Sequence, residues 1–134
     1  MKRVLPMVMI LGVAAPVLAG FGDLVFTVPV GAGGLHYEGV GVAELEAWGP
    51  RAIAVGPDGV TWIVDGPAAR IAGFDRTGRE VASISTEGIA TGILDIEVTQ
   101  HGIFALDLAA VAPRVLEISF GGTLLLEHPL PAHL

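Results

Sequence analysis

The hydrophobic and polar positions of this chain alternate in short runs that are separated by glycine and proline. Alternation over four to eight residues is typical of half-buried β-strands. From residue 49 onward the runs predict eight strands, at 51–55, 60–64, 70–75, 79–84, 93–98, 102–106, 114–119 and 123–128. Glycine lies in the turns between them, as in Asp58-Gly59 and Gly121-Gly122, because it tolerates the positive φ of tight turns. The pattern predicts an all-β fold.

The eight predicted strands form two similar units. Landmark residues correspond in pairs about 43 positions apart: Ile53 with Ile96, Val55 with Val98, Gly59 with Gly102, Asp65 with Asp107, Arg70 with Arg114, and Gly78 with Gly122. A repeat of this length falls in the range of β-propeller blades. We therefore predict two blade-like repeats of four antiparallel strands each, at 49–91 and 92–134.

The first unit also resembles a known family. The segment "GPRAIAVGPDGVTWIVDGPAARIAGFDRTGRE" is similar to an NHL-type β-propeller repeat in its Gly-Pro-Arg opening, its Ile-Ala-Val strand and its Pro-Asp-Gly turn. The second unit matches less closely, since His101 replaces the turn aspartate and "LAAVAP" replaces the short loop before Arg114. The resemblance implies propeller blades but says little about chemistry, because propellers support many functions.

Two blades are fewer than the four to eight of a closed propeller. The chain is then a piece of a longer propeller, an assembly with copies or a partner, or an open module whose faces the N-terminal segment covers. An uncovered apolar blade face favours association. We therefore expect a protein partner or self-association.

The N-terminus has a different pattern. "MKRVLPMVMILGVAAPVLAG" places Lys2 and Arg3 before an apolar run and small residues, as in a secretory signal peptide. We predict a signal peptide helix at 1–19 and an exported protein, periplasmic or extracellular. The alternative is an uncleaved membrane anchor, since 4–21 reaches the length of a short span. Residues 20–48 are predicted to form an extra N-terminal strand, at 23–30, and a glycine-rich loop.

Composition removes several classes of function. The chain has 7 basic and 14 acidic residues and a net charge of -7, which disfavours nucleic-acid binding because phosphates require clustered Lys and Arg. It has no cysteine, so disulfides and thiol chemistry are excluded. No His pair has metal-ligand spacing and no catalytic motif is present. We therefore predict no catalytic residue, no metal site and no cofactor.

Five residues are candidates for ligand binding. His36, Tyr37 and Trp48 lie in or beside the glycine-rich loop, and loops on propeller rims often bind ligands; packing of the two rings against the sheet is the alternative. Asp95 and Glu97 share one face of a strand and could supply oxygen ligands to a hard cation; an exposed acidic face is the alternative. The repeated Asp and Arg of each unit are interpreted as fixing the loop between its second and third strands.

These observations lead to a hypothesis of function. We expect an exported, non-catalytic binding or scaffold protein built from NHL-like blades. One alternative is a fragment of a metal-dependent propeller hydrolase or lyase, whose acidic groups would lie near the propeller axis. The other is a small membrane-anchored subunit of a larger complex.

Overall fold

The computed structural model describes residues 24–39, 41, 43–44 and 48–131. It is all-β, with two four-stranded antiparallel sheets in which each strand pairs with the next along the chain. The predicted fold class is confirmed in this form. The predicted signal peptide at 1–19 lies outside the described residues.

The first four strands form sheet 1. They are β1 (Ile53–Val55), β2 (Thr61–Asp65), β3 (Arg70–Phe74) and β4 (Glu80–Ser85), with a short 3-10 helix at Gly66–Ala68. Sheet 2 contains β5 (Ile93–Val98), β6 (Ile103–Asp107), β7 (Arg114–Ile118) and β8 (Leu124–Pro129). Each of the eight strands predicted from residue 49 onward is present, with its ends within two residues of the prediction.

The two sheets repeat each other in detail. In both, the register between the third and fourth strands shifts at the same place, between Gly73 and Phe74 in sheet 1 and between Glu117 and Ile118 in sheet 2. The turn that follows uses a glycine with positive φ in each sheet, Gly78 at 82° and Gly122 at 84°. Such agreement at irregular positions indicates one structural unit used twice.

One of the residue correspondences predicted between the two repeats is wrong. In the turn before the second strand, the N–H of Gly56 donates to the carbonyl oxygen of Val60 in sheet 1. In sheet 2 the N–H of Thr99 donates to the carbonyl oxygen of Gly102. Gly102 therefore corresponds to Val60, and not to Gly59 as predicted, because the turn is one residue shorter in sheet 2. Gly59 is needed for its φ of 82°, whereas a Cβ on Gly102 would clash with the carbonyl oxygen of Ile118.

Each sheet has two faces, which we name by the side chains of the second strand. The front carries Ile63 in sheet 1 and Ala105 in sheet 2, and the back carries Trp62 and Phe104. The back of sheet 1 packs against the front of sheet 2, as neighbouring blades do. The buried residues of this main core are Trp62, Val64, Ile71, Ile84, Ile93, Ile96, Ile103, Ala105, Leu116 and Ile118.

The N-terminal segment, residues 24–39, lies over the front of sheet 1. Phe26, Val28 and Leu35 pack there in a second core whose sheet residues are Ile63, Ala72 and Phe74. Residues 24–29 belong to neither sheet, and only an isolated bridge joins Val30 to Leu35. The strand predicted at 23–30 therefore does not extend either sheet, because its apolar side chains pack on the face of sheet 1 instead.

Candidate interaction surface

The back of sheet 2 carries two rows of side chains that the strand register sets across the sheet. The first row runs Asp95, Leu106, Val115 and His128, and the second runs Glu97, Phe104, Glu117 and Leu126. Residues directly opposite each other in an antiparallel pair project from the same face. The two rows therefore place apolar side chains beside carboxylates.

The equivalent positions of sheet 1 are apolar or small. In the same order they are Ala52, Val64, Ile71 and Ile84 in the first row, and Ala54, Trp62, Gly73 and Ala82 in the second. Sheet 2 covers this face, so that Trp62 is only 4% exposed and Ile71 is fully buried. On the back of sheet 2 their counterparts Phe104 and Val115 remain partly exposed.

The change from small to charged residues has an energetic consequence. Three carboxylates and one imidazole stand on the back of sheet 2 where sheet 1 has two alanines, a glycine and an isoleucine. Burying a carboxylate without a partner is costly. This face is therefore unsuited to dry packing against another apolar sheet, although its central side chains are apolar.

A shallow depression of about 200 Å³ lies on this face. Phe104, Leu106 and Val115 form its apolar part, and Asp95 and Glu97 stand at its β5 side. Among residues 24–39, 41, 43–44 and 48–131, no basic side chain forms an ion pair with Asp95, Glu97 or Glu117. The surface thus offers an apolar strip flanked by carboxylates that have no intramolecular counter-charge in the described chain.

His36, one of the predicted binding residues, joins the N-terminal segment to sheet 1. Its backbone N–H donates to Oδ1 of Asp65 at 3.0 Å, and its ring Nδ1 lies 2.9 Å from Oδ2 of the same carboxylate. The Asp65 side chain is fully buried. In this structure His36 holds the N-terminal segment against the front of sheet 1.

Tyr37 and Trp48 lie beside the same segment. Trp48 is paired with Glu38 by two backbone hydrogen bonds, and its indole Nε1 donates to Oε2 of Glu38 at 2.9 Å. The Tyr37 ring lies against Gly49, and both rings remain more than a third exposed. His36, Tyr37 and Trp48 are thus brought to one region of sheet 1, whereas Asp95 and Glu97 lie on the back of sheet 2.

The repeated Asp–Arg pairs have a second role beside the predicted one. Oδ1 of Asp107 accepts from the N–H of Gly92 at 3.1 Å, and Oδ2 accepts from that of Thr91 at 3.2 Å. Arg114 donates to Asp107 and, through Nη2, to the carbonyl oxygen of Ile89 at 2.9 Å. The Arg114–Asp107 bond joins the two ends of the loop between β6 and β7, as predicted, and the same pair also fixes the segment that links the two sheets.

The N-terminal segment makes the corresponding bonds to sheet 1. Arg70 Nη2 donates to the carbonyl oxygen of Gly34 at 2.8 Å, as Arg114 does to Ile89. The bond from the His36 N–H to Asp65 matches the bond from Gly92 to Asp107. The N-terminal segment thus takes the place, on the front of sheet 1, of a segment arriving from a preceding sheet. The repeat alone could not predict this, because the equivalent bonds come from unrelated sequences.

The environments of the two buried carboxylates change their acidity. Burial alone would raise the pKa of Asp107, but hydrogen bonds from Thr91, Arg114 and Gly92 outweigh it and lower the pKa below its usual value of 3.8. The effect of burial on the pKa of Asp65 is likewise outweighed by hydrogen bonds from His36 and Arg70, so this pKa is also lowered. Both groups are therefore charged at neutral pH and serve as fixed acceptors.

Other features bear on the remaining classes of function. Within the described ranges, no group of three or more His, Asp or Glu residues is placed to hold a metal ion. The described part of the chain contains no helix that is both long and apolar enough to cross a bilayer. No protein-family model matches the sequence, and no curated protein matches it.

Proposed function

We propose that this chain is an exported, non-catalytic binding or scaffold protein built from NHL-like blades, and that it engages its partner through the back of sheet 2. One observation carries the proposal. Phe104 and Val115 are partly exposed at positions whose counterparts, Trp62 and Ile71, are buried beneath a packed sheet. Apolar side chains are exposed here at positions that a packed sheet covers in the first unit, and such a surface is suited to a partner.

Further observations support each part of the proposal. The four-stranded antiparallel blades agree with the NHL-like landmarks of the first unit, and the basic and apolar N-terminus supports export. Leu126, at the β8 end of the second row, is 55% exposed. An aromatic and aliphatic centre with a charged edge is the usual composition of a protein interface.

Site-specific photo-crosslinking tests the proposal without knowledge of the partner. The photoreactive residue p-benzoylphenylalanine is placed at Phe104 in the full chain, in the cells that produce it. The matched control is Val111, which is fully exposed in the β6–β7 connection. We expect a discrete cross-linked product from position 104 and none from position 111. Equal products from both positions, or none from position 104 in a correctly folded chain, would contradict the proposal.

A further inference from the structure

We propose that the partner presents an extended, basic segment to the back of sheet 2, with lysine or arginine and apolar side chains on the same side of its backbone. This inference rests on the proposed function and specifies the chemistry of its partner. It is carried by the juxtaposition of an exposed apolar strip with three carboxylates that have no counter-charge among the described residues. Both features are fixed by the strand register.

The apolar strip supplies the first half of the recognition. Phe104 and Leu106 lie two residues apart on β6, and Val115 stands opposite Leu106 on β7. Their exposed area adjoins the depression of about 200 Å³. Removing this surface from water is favourable in proportion to its apolar area. A partner that carries apolar side chains on one side of its backbone fits this strip.

The carboxylates supply the second half. Glu97 lies opposite Phe104 on β5, and Glu117 lies opposite it on β7, so the ring stands between two negative charges. Asp95 stands opposite Leu106 in the same way. A lysine or arginine can lay its methylene stem on the apolar strip and place its charge at a carboxylate. The net charge of -7 also attracts a basic partner over longer distances.

The front of sheet 1 shows how a single segment covers a sheet face in this molecule. There Phe26, Val28 and Leu35 of the N-terminal segment supply apolar contacts, while His36 meets a carboxylate, Asp65. The segment adds no strand to the sheet and covers the part of its face that Ile63, Ala72 and Phe74 form. A partner of the back of sheet 2 would supply the same combination, with apolar side chains on the strip and cationic groups at the carboxylates.

A second copy of this chain fits the face less well. Two copies joined through their sheet 2 backs would oppose Glu97 and Glu117 to the same residues of the copy, and like charges in close contact repel. On the front of sheet 1, Arg70 is already bonded to Asp65 and Glu80. Arg76 is the remaining arginine at that face among the described residues, and one cation leaves two of the three carboxylates without a counter-charge. Charge complementarity therefore favours a basic segment.

A peptide-binding experiment with the full chain tests this inference. The probe is a short fluorescein-labelled peptide that repeats Val-Ser-Lys-Ser, so that valine and lysine lie on the same side of an extended backbone, and the matched control peptide repeats Val-Ser-Glu-Ser. Fluorescence anisotropy is measured at low and high ionic strength. We expect binding of the lysine peptide alone, weakened by salt, because salt screens exposed charges. Equal binding of both peptides would overturn the inference.

Variants connect the binding to the proposed residues. Each exposed ion pair changes an affinity by about two- to fivefold, so Glu97→Gln with Glu117→Gln should weaken binding of the lysine peptide by about fivefold or more. The control Glu87→Gln, on the exposed β4–β5 turn, should leave the affinity unchanged. Circular dichroism verifies that each variant is folded. An unchanged affinity in the folded double variant would overturn the inference.

Competition separates the failure of this inference from that of the proposed function. If position 104 cross-links a partner and the lysine peptide suppresses the product, both stand. If the product persists in excess lysine peptide, the face binds a partner of another chemistry, and only the basic segment is overturned. If light scattering shows that the product contains a second copy of this chain, self-association replaces the basic segment.

Discussion

At the residue scale, the buried carboxylates join parts of the chain that are distant in sequence. Asp107 receives bonds from Thr91, Gly92 and Arg114, and so connects β6, β7 and the segment between the sheets. A buried charge is tolerated only when such donors surround it. The sequence revealed that the Asp and Arg recur, but it did not reveal their backbone partners, because a backbone N–H has no sequence signature.

Asp107→Asn should reduce stability by weakening these bonds. The amide keeps the side-chain shape but loses the charge, and its NH₂ group cannot accept from the donors that now surround Oδ1 and Oδ2. Hydrogen bonds to charged groups contribute about 1.5–3 kcal/mol, so we expect the free energy of unfolding in urea to fall by about 2–3 kcal/mol. The control is Asp58→Asn, where the exposed side chain only accepts from Val60 in a turn, and a change below about 0.5 kcal/mol is expected.

The same substitution should alter the dependence of stability on pH. The folded pKa of Asp107 is below its usual 3.8, so its stabilising contribution is complete above that value and is lost as the pH falls through the lower folded pKa. Urea unfolding from pH ~6 to ~2 should therefore show a smaller acid-induced loss in Asp107→Asn than in the wild type. Parallel curves for the two proteins would contradict the assigned bonds.

Trp62 offers a contrasting prediction at this scale. Its ring is buried and stacks on Phe120 at a centroid distance of 5.5 Å, but its Nε1 has no acceptor among the described residues. Trp62→Phe removes the unpaired donor and introduces the residue found at the equivalent position 104, so a cost below about 1.5 kcal/mol is expected. Trp62→Ala should cost about 3–5 kcal/mol. Chemical denaturation of both variants measures the difference, and equal losses would contradict this reasoning.

At the element scale, the strands were predictable and the packing of the N-terminal segment was not. Alternation and turn residues determine where β1 to β8 begin and end, because both act within a few positions of the chain. The segment around Phe26 and Val28 alternates in the same way, and was therefore predicted as a strand. Its apolar side chains instead pack on Ile63 and Phe74, a choice made by tertiary packing, which a local pattern does not contain.

Leu35→Ala tests whether the N-terminal segment stabilises sheet 1. Leu35 is only 9% exposed and packs beside Ile63, Ala72 and Phe74. We expect the free energy of unfolding to fall by about 2–3 kcal/mol, near the lower end for a buried leucine. Leu24→Ala is the control, because Leu24 is 66% exposed and its truncation should cost below about 0.5 kcal/mol. Equal effects of the two substitutions in urea titrations would show that the segment does not pack as described.

At the scale of the whole molecule, the faces of the two similar sheets differ in how far the rest of the described chain covers them. The back of sheet 1 and the front of sheet 2 are buried together. The N-terminal segment covers the front of sheet 1 except at β1, where Ile53 and Val55 are each 65% exposed. No described part of the chain packs on the back of sheet 2. The sequence placed Asp95 and Glu97 on one face of a strand. It could not show that Phe104 and Glu117 stand beside them, because that depends on the strand register.

A pair of equivalent substitutions tests this difference between the faces. Ile71 and Val115 correspond to each other, but Ile71 is fully buried and Val115 is partly exposed. Ile71→Lys places an unpaired charge in the core and should cost more than about 4 kcal/mol or prevent folding. Val115→Lys can extend its charge into water and lies near carboxylates, so a cost below about 1 kcal/mol is expected. A comparable loss for Val115→Lys would mean that the back of sheet 2 is buried.

Hydroxyl-radical footprinting of the purified full chain, analysed by mass spectrometry, compares the exposure of equivalent side chains on the two sheets. In this structure the back of sheet 2 is open, whereas its counterpart in sheet 1 is covered. We therefore expect ready oxidation of Phe104, Leu106 and Leu126 and strong protection of Trp62, even though an exposed tryptophan is the more reactive ring. Protection of Phe104 equal to that of Trp62 would show that the proposed interaction surface is already covered.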